Sequence, residues 1–277
     1  MSDTTKLKES LNTLMNSYLT EVVYYNIDFL IDNCKEVVEE CFNIFNDLTD
    51  YLFCITQISN IAKGVEVNLR YMMYPMITHV AYPCISYSVF ALFQGAIPQT
   101  YYSLRTALEA IGIAVFADED PRFKNMDWVM KVEADPIKHA SLFKLRGSLH
   151  KIFEQVFRDK AQLYLNVILD TYESLSAWLH PTARIRIDKD KEVAAGLLRA
   201  IALTIIEKGR PPSYALQVPM KYSEDDIEDL KCLQANIKWT RNSLAILLFA
   251  WAYTKDFINK EIIAEHFKQA RNDIITS

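Results

Sequence analysis

Few residues in this chain have the type and spacing to do chemistry. Arg105 and Glu109 lie four apart in Gln99-Thr-Tyr-Tyr-Ser-Leu-Arg-Thr-Ala-Leu-Glu109. On an exposed helix such a pair contributes only about 0.2–0.5 kcal/mol, and Arg before Glu is the weaker order. One turn later the polar side of the helix vanishes into Ala110, Ile113, Ala114, Phe116 and Ala117. A half-buried Arg–Glu pair there suits an anionic ligand or a catalytic water, and equally a structural ion pair between helices. A second candidate is Ser176-Ala-Trp178-Leu-His180-Pro181. A histidine at a helix C-terminus is favoured as a cation by the dipole, so His180 is a candidate general base or anion ligand, or a simple cap. Third, His139, Arg146 and His150 share one flank of a helix expected over 136–158, with Phe153 and Phe157 continuing it. His139 and His150 are about 16 Å apart by helical rise, too far for one metal.

The other expected chemistries fail on spacing. No phosphate-cradling glycine loop, dinucleotide fingerprint, nucleophile elbow or H-E-x-x-H occurs. Asp188-Lys-Asp-Lys-Glu192 opens like a calcium loop, but Val193 stands where the turn glycine belongs and Arg199 where the bidentate glutamate belongs. No metal and no cofactor is expected. The five cysteines, Cys34, Cys41, Cys54, Cys84 and Cys232, contain no C-x-x-C pair and read as reduced core residues of a cytoplasmic protein. The first 20 residues are polar and of mixed charge, unlike a signal peptide. A net charge of −5 excludes a surface basic all over, but 138–160 and 184–191 are locally basic enough to meet RNA phosphates.

The elements that position these residues are helical. Six glycines in 277 residues suit long helices better than sandwiches or Rossmann folds. From Ile27 to Met72 an unbroken 3-4 spacing of apolar residues predicts helix, with a break expected near Asn46–Asp50. Between Arg70 and Arg105 lie 34 residues without Asp, Glu, Lys or Arg, where His79 is the single imidazole. Pro75, Pro83 and Pro98 cut that run, so buried bundle helices are expected (one over 84–94) rather than a membrane span, which needs about 20 apolar residues; insertion of 76–97 is the weaker alternative. Further helices are expected over 4–19, 98–117, 122–134, 160–179, 193–208, 223–254 and 260–272. Alternation at 184–188 and extended character at 214–218 predict a small two-stranded β-ribbon. The fold class is therefore all-α: a multi-helix bundle of one domain, 1–277, with a helical hairpin over 1–74 on a core bundle over 76–277. Its centre is expected at 84–117 with 243–254.

The Arg-x-x-x-Glu of Arg105 and Glu109 in an apolar helix, followed by Trp178-Leu-His180-Pro181, resembles prokaryotic helical proteins grouped with HEPN-type domains. The resemblance covers 98–182. It implies an RNA-directed activity, with His150 or His180 as base and Arg105 or Arg146 steadying phosphate charge. The chain departs from the ribonuclease pattern, which places four to six residues between Arg and His; Arg146-Gly-Ser-Leu-His150 has three. The expected function is thus a non-enzymatic interaction or regulatory module, a homo-oligomer or partner-binding protein, with an HEPN-like RNA-binding protein or ribonuclease and a membrane-associated protein as alternatives.

Overall fold

The computed structural model describes residues 3–61, 70–178, 221–255 and 260–276. Every regular element among them is helical. The expected ribbon at 184–188 and 214–218, the helix at 193–208 and His180 lie outside the described residues. In chain order the helices are α1 (Asp3–Tyr18), α2 (Tyr25–Asn33), α3 (Lys35–Ile61), α4 (Met73–Met76), α5 (Tyr82–Phe93), α6 (Ile97–Glu119), α7 (Trp128–Glu133), α8 (Asp135–Lys138), α9 (Leu142–Phe157), α10 (Ala161–Ala177), α11 (Ile227–Tyr253) and α12 (Lys260–Thr276).

The bundle is built around α6, which packs on α5, α9, α10 and α11; α11 in turn touches α3, α10 and α12. One contiguous apolar cluster runs from Leu30 to Ala270. Its centre is where the sequence put it: Leu104, Leu108, Ile111, Ala114 and Val115 of α6 and Leu244, Ile246, Leu248 and Trp251 of α11 are buried. The polar flank expected on α6 is less solvated than its sequence suggests, since Ser103 is buried too.

Four boundaries differ from expectation. The long apolar seam breaks at Cys34, not at Asn46–Asp50. Cys34 leaves helical geometry (φ −146°, ψ 44°) after Asp32 and Asn33, poor helix formers, while its thiol stays buried and keeps the seam in phase. Asn46–Asp50 stays helical because Leu48 is buried in the core and Asp47 finds a cation on α11. Pro75 and Pro83 do not end a helix: one helical run passes from Met73 to Phe93, with a π turn over Ile77–Ala81 just before Pro83. A proline cannot donate to the carbonyl four residues back, and widening the preceding turn accommodates that. Gly95, at φ 70°, then closes the run; Ala96 N–H reaches Ala91 O and Gly95 N–H reaches Leu92 O. Finally, 122–127 forms turns, and the helix expected from Pro136 to Phe157 is two: Pro136 opens α8, and Ser141 caps α9 by accepting from Lys144 N–H.

Candidate functional site

The α6–α10 contact brings Arg105 and Glu109 to a partner the sequence did not announce, Tyr172. Its position follows the α10 stripe of Leu165, Ile168, Leu169 and Leu175, all buried, which sets the Tyr172 hydroxyl against α6. Arg105 Nη2 donates to the Tyr172 hydroxyl at 2.5 Å, and that hydroxyl donates to Glu109 Oε1 at 2.7 Å. The Arg105 guanidinium also lies 4.8 Å from the centre of the Tyr172 ring and 3.7 Å from Glu109 Oε2. Burial, then the hydrogen bond with Glu109, pushes the Tyr172 phenol above its ordinary range, so it stays protonated at neutral pH. Arg105 Nε is buried without an acceptor among the described residues. Phe143 of α9 leans edge-on against Tyr172 at 5.4 Å, and Trp178 stacks flat on Tyr101, 4.8 Å between centres. The arrangement is a closed latch. The carboxylate, the phenol and one guanidinium nitrogen, Nη2, are linked to one another, and Phe143 lies against the phenol ring.

The other sequence candidates do not converge on it. His139 falls in the turn between α8 and α9 and is exposed, so it leaves the helical stripe it was assigned to. Its carbonyl accepts from Lys144 Nζ at 3.0 Å. Arg146 is exposed, and His150 Nδ1 faces Glu154 Oε1 at 3.5 Å on its own helix. Among the described residues no group of three His, Cys, Asp or Glu could hold a metal ion. The thiols of Cys34, Cys41 and Cys54 are buried as expected, whereas Cys84 is half-buried and Cys232 exposed; neither is a core residue.

Two charged centres escaped the sequence reading. Asp118, read as part of the Asp118-Glu-Asp-Pro121 helix stop, is buried. Its Oδ1 accepts from Met72 N (2.8 Å) and Lys131 Nζ (2.7 Å), and its Oδ2 from Met73 N (3.1 Å) and Trp251 Nε1 (2.9 Å). Lys131 is 1% exposed and donates as well to Arg70 O at 2.8 Å. Nearly three turns earlier on α11, Arg241 grips Asp47 through Nε (2.5 Å) and Nη2 (3.3 Å), while His266 sets Nδ1 3.4 Å from Asp47 and Nε2 3.2 Å from Asp50. A charge at a seam-flanking position of an otherwise apolar stripe was the available signal in both cases. Only the fold supplies the partner.

One exposed surface feature is aromatic. Pro83, Tyr87 and Phe90 form an exposed i, i+4, i+7 stripe on α5. Tyr24 and Tyr25 reach the same end of the bundle, because Asn26 Nδ2 donates to Phe93 O at 3.1 Å. Tyr102 on α6 is exposed too. These five aromatics are 43–59% exposed. The run Met73–Phe93 is long and apolar enough to cross a membrane, and a third of its most apolar window is buried in the protein.

Comparison of the chain with protein-family models, with curated proteins and with solved structures finds no match.

Proposed function

We propose that this chain is a non-enzymatic helical interaction module that pairs with a second copy of itself through the aromatic end of α5. The observation that carries this reading is the exposed stripe Pro83–Tyr87–Phe90, which lies in the 34 residues 71–104 without Asp, Glu, Lys or Arg; Tyr24, Tyr25 and Tyr102 are exposed as well, with Lys221 Nζ 5.2 Å over the Tyr25 ring. Two copies of a chain of net charge −5 repel each other over most of their surface. A face without charge removes that penalty where they meet, and a twofold contact needs one patch complementary to itself. The area also fits. Five half-exposed aromatics offer roughly 500 Å², on about 150–250 Å² for each ring side chain, and Met76, Val80 and Pro83 extend the patch toward the roughly 800 Å² per copy of an ordinary interface. Tyrosine and phenylalanine are the side chains that interface cores favour.

Two further observations support a non-catalytic reading. Arg105 Nη2, the Tyr172 hydroxyl and Glu109 Oε1 are already hydrogen-bonded to one another. An RNA-directed, HEPN-like enzyme needs a basic cleft joining Arg105 or Arg146 to a histidine, and His150 faces Glu154 instead. The free thiols fit a reducing compartment, and we place the protein in the cytoplasm.

Sedimentation velocity over a concentration series tests the pairing. The wild type is expected to dimerise at micromolar concentration. Phe90→Ser removes a central aromatic contact, about 2 kcal/mol or roughly 30-fold in Kd. Leu163→Ser, an exposed apolar residue on α10, leaves it unchanged. A monomer at every concentration that co-sediments with phosphatidylcholine vesicles would assign the face to a membrane surface instead. A monomer that binds a short RNA with steep salt dependence would restore the nucleic-acid reading.

A further inference from the structure

A polar cleft of about 120 Å³ opens where α6 and α11 end, between Tyr71, Lys124 and Lys255 on its rim and Lys131 and Asp118 at its floor. We infer that this cleft is a binding site for a phosphate group, independent of the self-pairing face.

The argument rests on which charges are already engaged. The lining holds four basic side chains, Arg70, Lys124, Lys131 and Lys255, against two acidic ones, Asp118 and Glu119, in a chain that is acidic overall. Both carboxylates are engaged. Asp118 accepts four hydrogen bonds, and Glu119 Oε1 is held by the Lys255 ammonium and the Thr254 hydroxyl. The other three cations keep donors to spare. An ammonium carries three donors, and the buried Lys131 uses two, on Asp118 Oδ1 and Arg70 O. Lys131 lines the cleft, and its third donor has no acceptor among the described residues; a buried donor without one costs about 1–3 kcal/mol. Arg70 and Lys124 are exposed on the rim and make no ion pair among the described residues.

The ends of α6 and α11 attract cations through their carbonyls, which accounts for Lys131 and Lys255. It does not account for two more unpaired cations around the same opening. A doubly charged tetrahedral anion matches them: Lys131 Nζ donates from below, and the Arg70 guanidinium and Lys124 ammonium close from the rim. The size admits one phosphate group and little more, so the remainder of a larger ligand stays in solvent.

Isothermal titration calorimetry with inorganic phosphate and with phenyl phosphate, at constant ionic strength set by chloride, tests this on the whole chain. Expected is one site per chain, weakened at least tenfold in Arg70→Ala/Lys124→Ala. Those two side chains are exposed, so the fold survives their loss. Lys6→Ala/Lys160→Ala makes the same change in net charge elsewhere and leaves binding as in the wild type. Phenyl phosphate binding as well as phosphate would identify a phosphomonoester; binding of inorganic phosphate alone would identify the free anion. No saturable binding, or equal weakening in both double variants, would overturn the assignment.

Discussion

The Asp118–Lys131 pair makes the sharpest demand on the structure. Both side chains are buried, at 0% and 1% exposure, with Nζ and Oδ1 2.7 Å apart. Asp118→Asn keeps the shape and removes the negative charge. It leaves the Lys131 ammonium buried without its counter-ion, and two carbonyl lone pairs must replace four acceptor positions. Breaking a buried pair from one side costs about 3–5 kcal/mol. Lys131→Met is milder, because the Asp118 carboxylate keeps Met72 N–H, Met73 N–H and the Trp251 indole N–H; three donors to a charged acceptor hold most of its solvation, and the expected cost is about 2–3 kcal/mol. The double variant has neither charge. Its cost should be only about 3 kcal/mol, well below the sum of the singles, giving a coupling energy of roughly 2–5 kcal/mol. Urea unfolding followed by tryptophan fluorescence measures all three. In a chain of this size the Asp118→Asn loss corresponds to a fall in Tm of very roughly 6–10 °C. Additivity of the two singles within about 0.5 kcal/mol would mean that the charges do not depend on each other, and the account of this centre would be wrong.

Two other outcomes follow from packing and burial. A Cβ on Gly112 would lie 2.1 Å from Leu142 Cδ2, whose side chain is buried, whereas one on Gly147 meets nothing within 4 Å. Gly112→Ala should therefore cost about 1–3 kcal/mol by overpacking, and Gly147→Ala should gain about 0.5–1 kcal/mol as a helix residue, both read from urea midpoints. Burial pushes the Cys41 thiol up to about 12, with Glu40 adding to it, and the Cys54 thiol up to about 11, with Asp50 adding to it. Folded values above the unfolded one mean that the neutral thiols stabilise fully below the unfolded value near 9. That contribution is then lost as pH rises through 11 and 12, at up to about 1.4 kcal/mol per pH unit for each thiol. Cys41→Ala should flatten the decline of the urea midpoint between pH 9 and 11; an unchanged slope would contradict the burial argument.

Helicity and the place of the core were legible because they depend on spacing along the chain. A 3-4 apolar period commits a segment to helix whatever it packs against, but the burial expected for the charge-free run holds only in part, since Tyr87 and Phe90 face solvent. The Ser223 cap, with Asp226 three residues on, is equally local. Arg105 and Glu109 were legible as a pair for the same reason. Their meaning was not. Tyr172 is 67 positions from Arg105, and only the crossing of α6 and α10 makes its hydroxyl the link between guanidinium and carboxylate. Asp118 with Trp251, 133 positions apart, and Asp47 with Arg241, 194 apart, are likewise invisible to any local pattern, since a lone charge beside an apolar stripe reads the same whether solvated or buried with a partner. The break at Cys34 and the passage through Pro75 and Pro83 were decided by tertiary packing too, because the energies that favour or oppose a helix boundary locally are smaller than those of burying the face beside it. The sequence by itself determined which segments are helices and which faces turn inward. The tertiary structure decided which charges meet, because that depends on where helices cross.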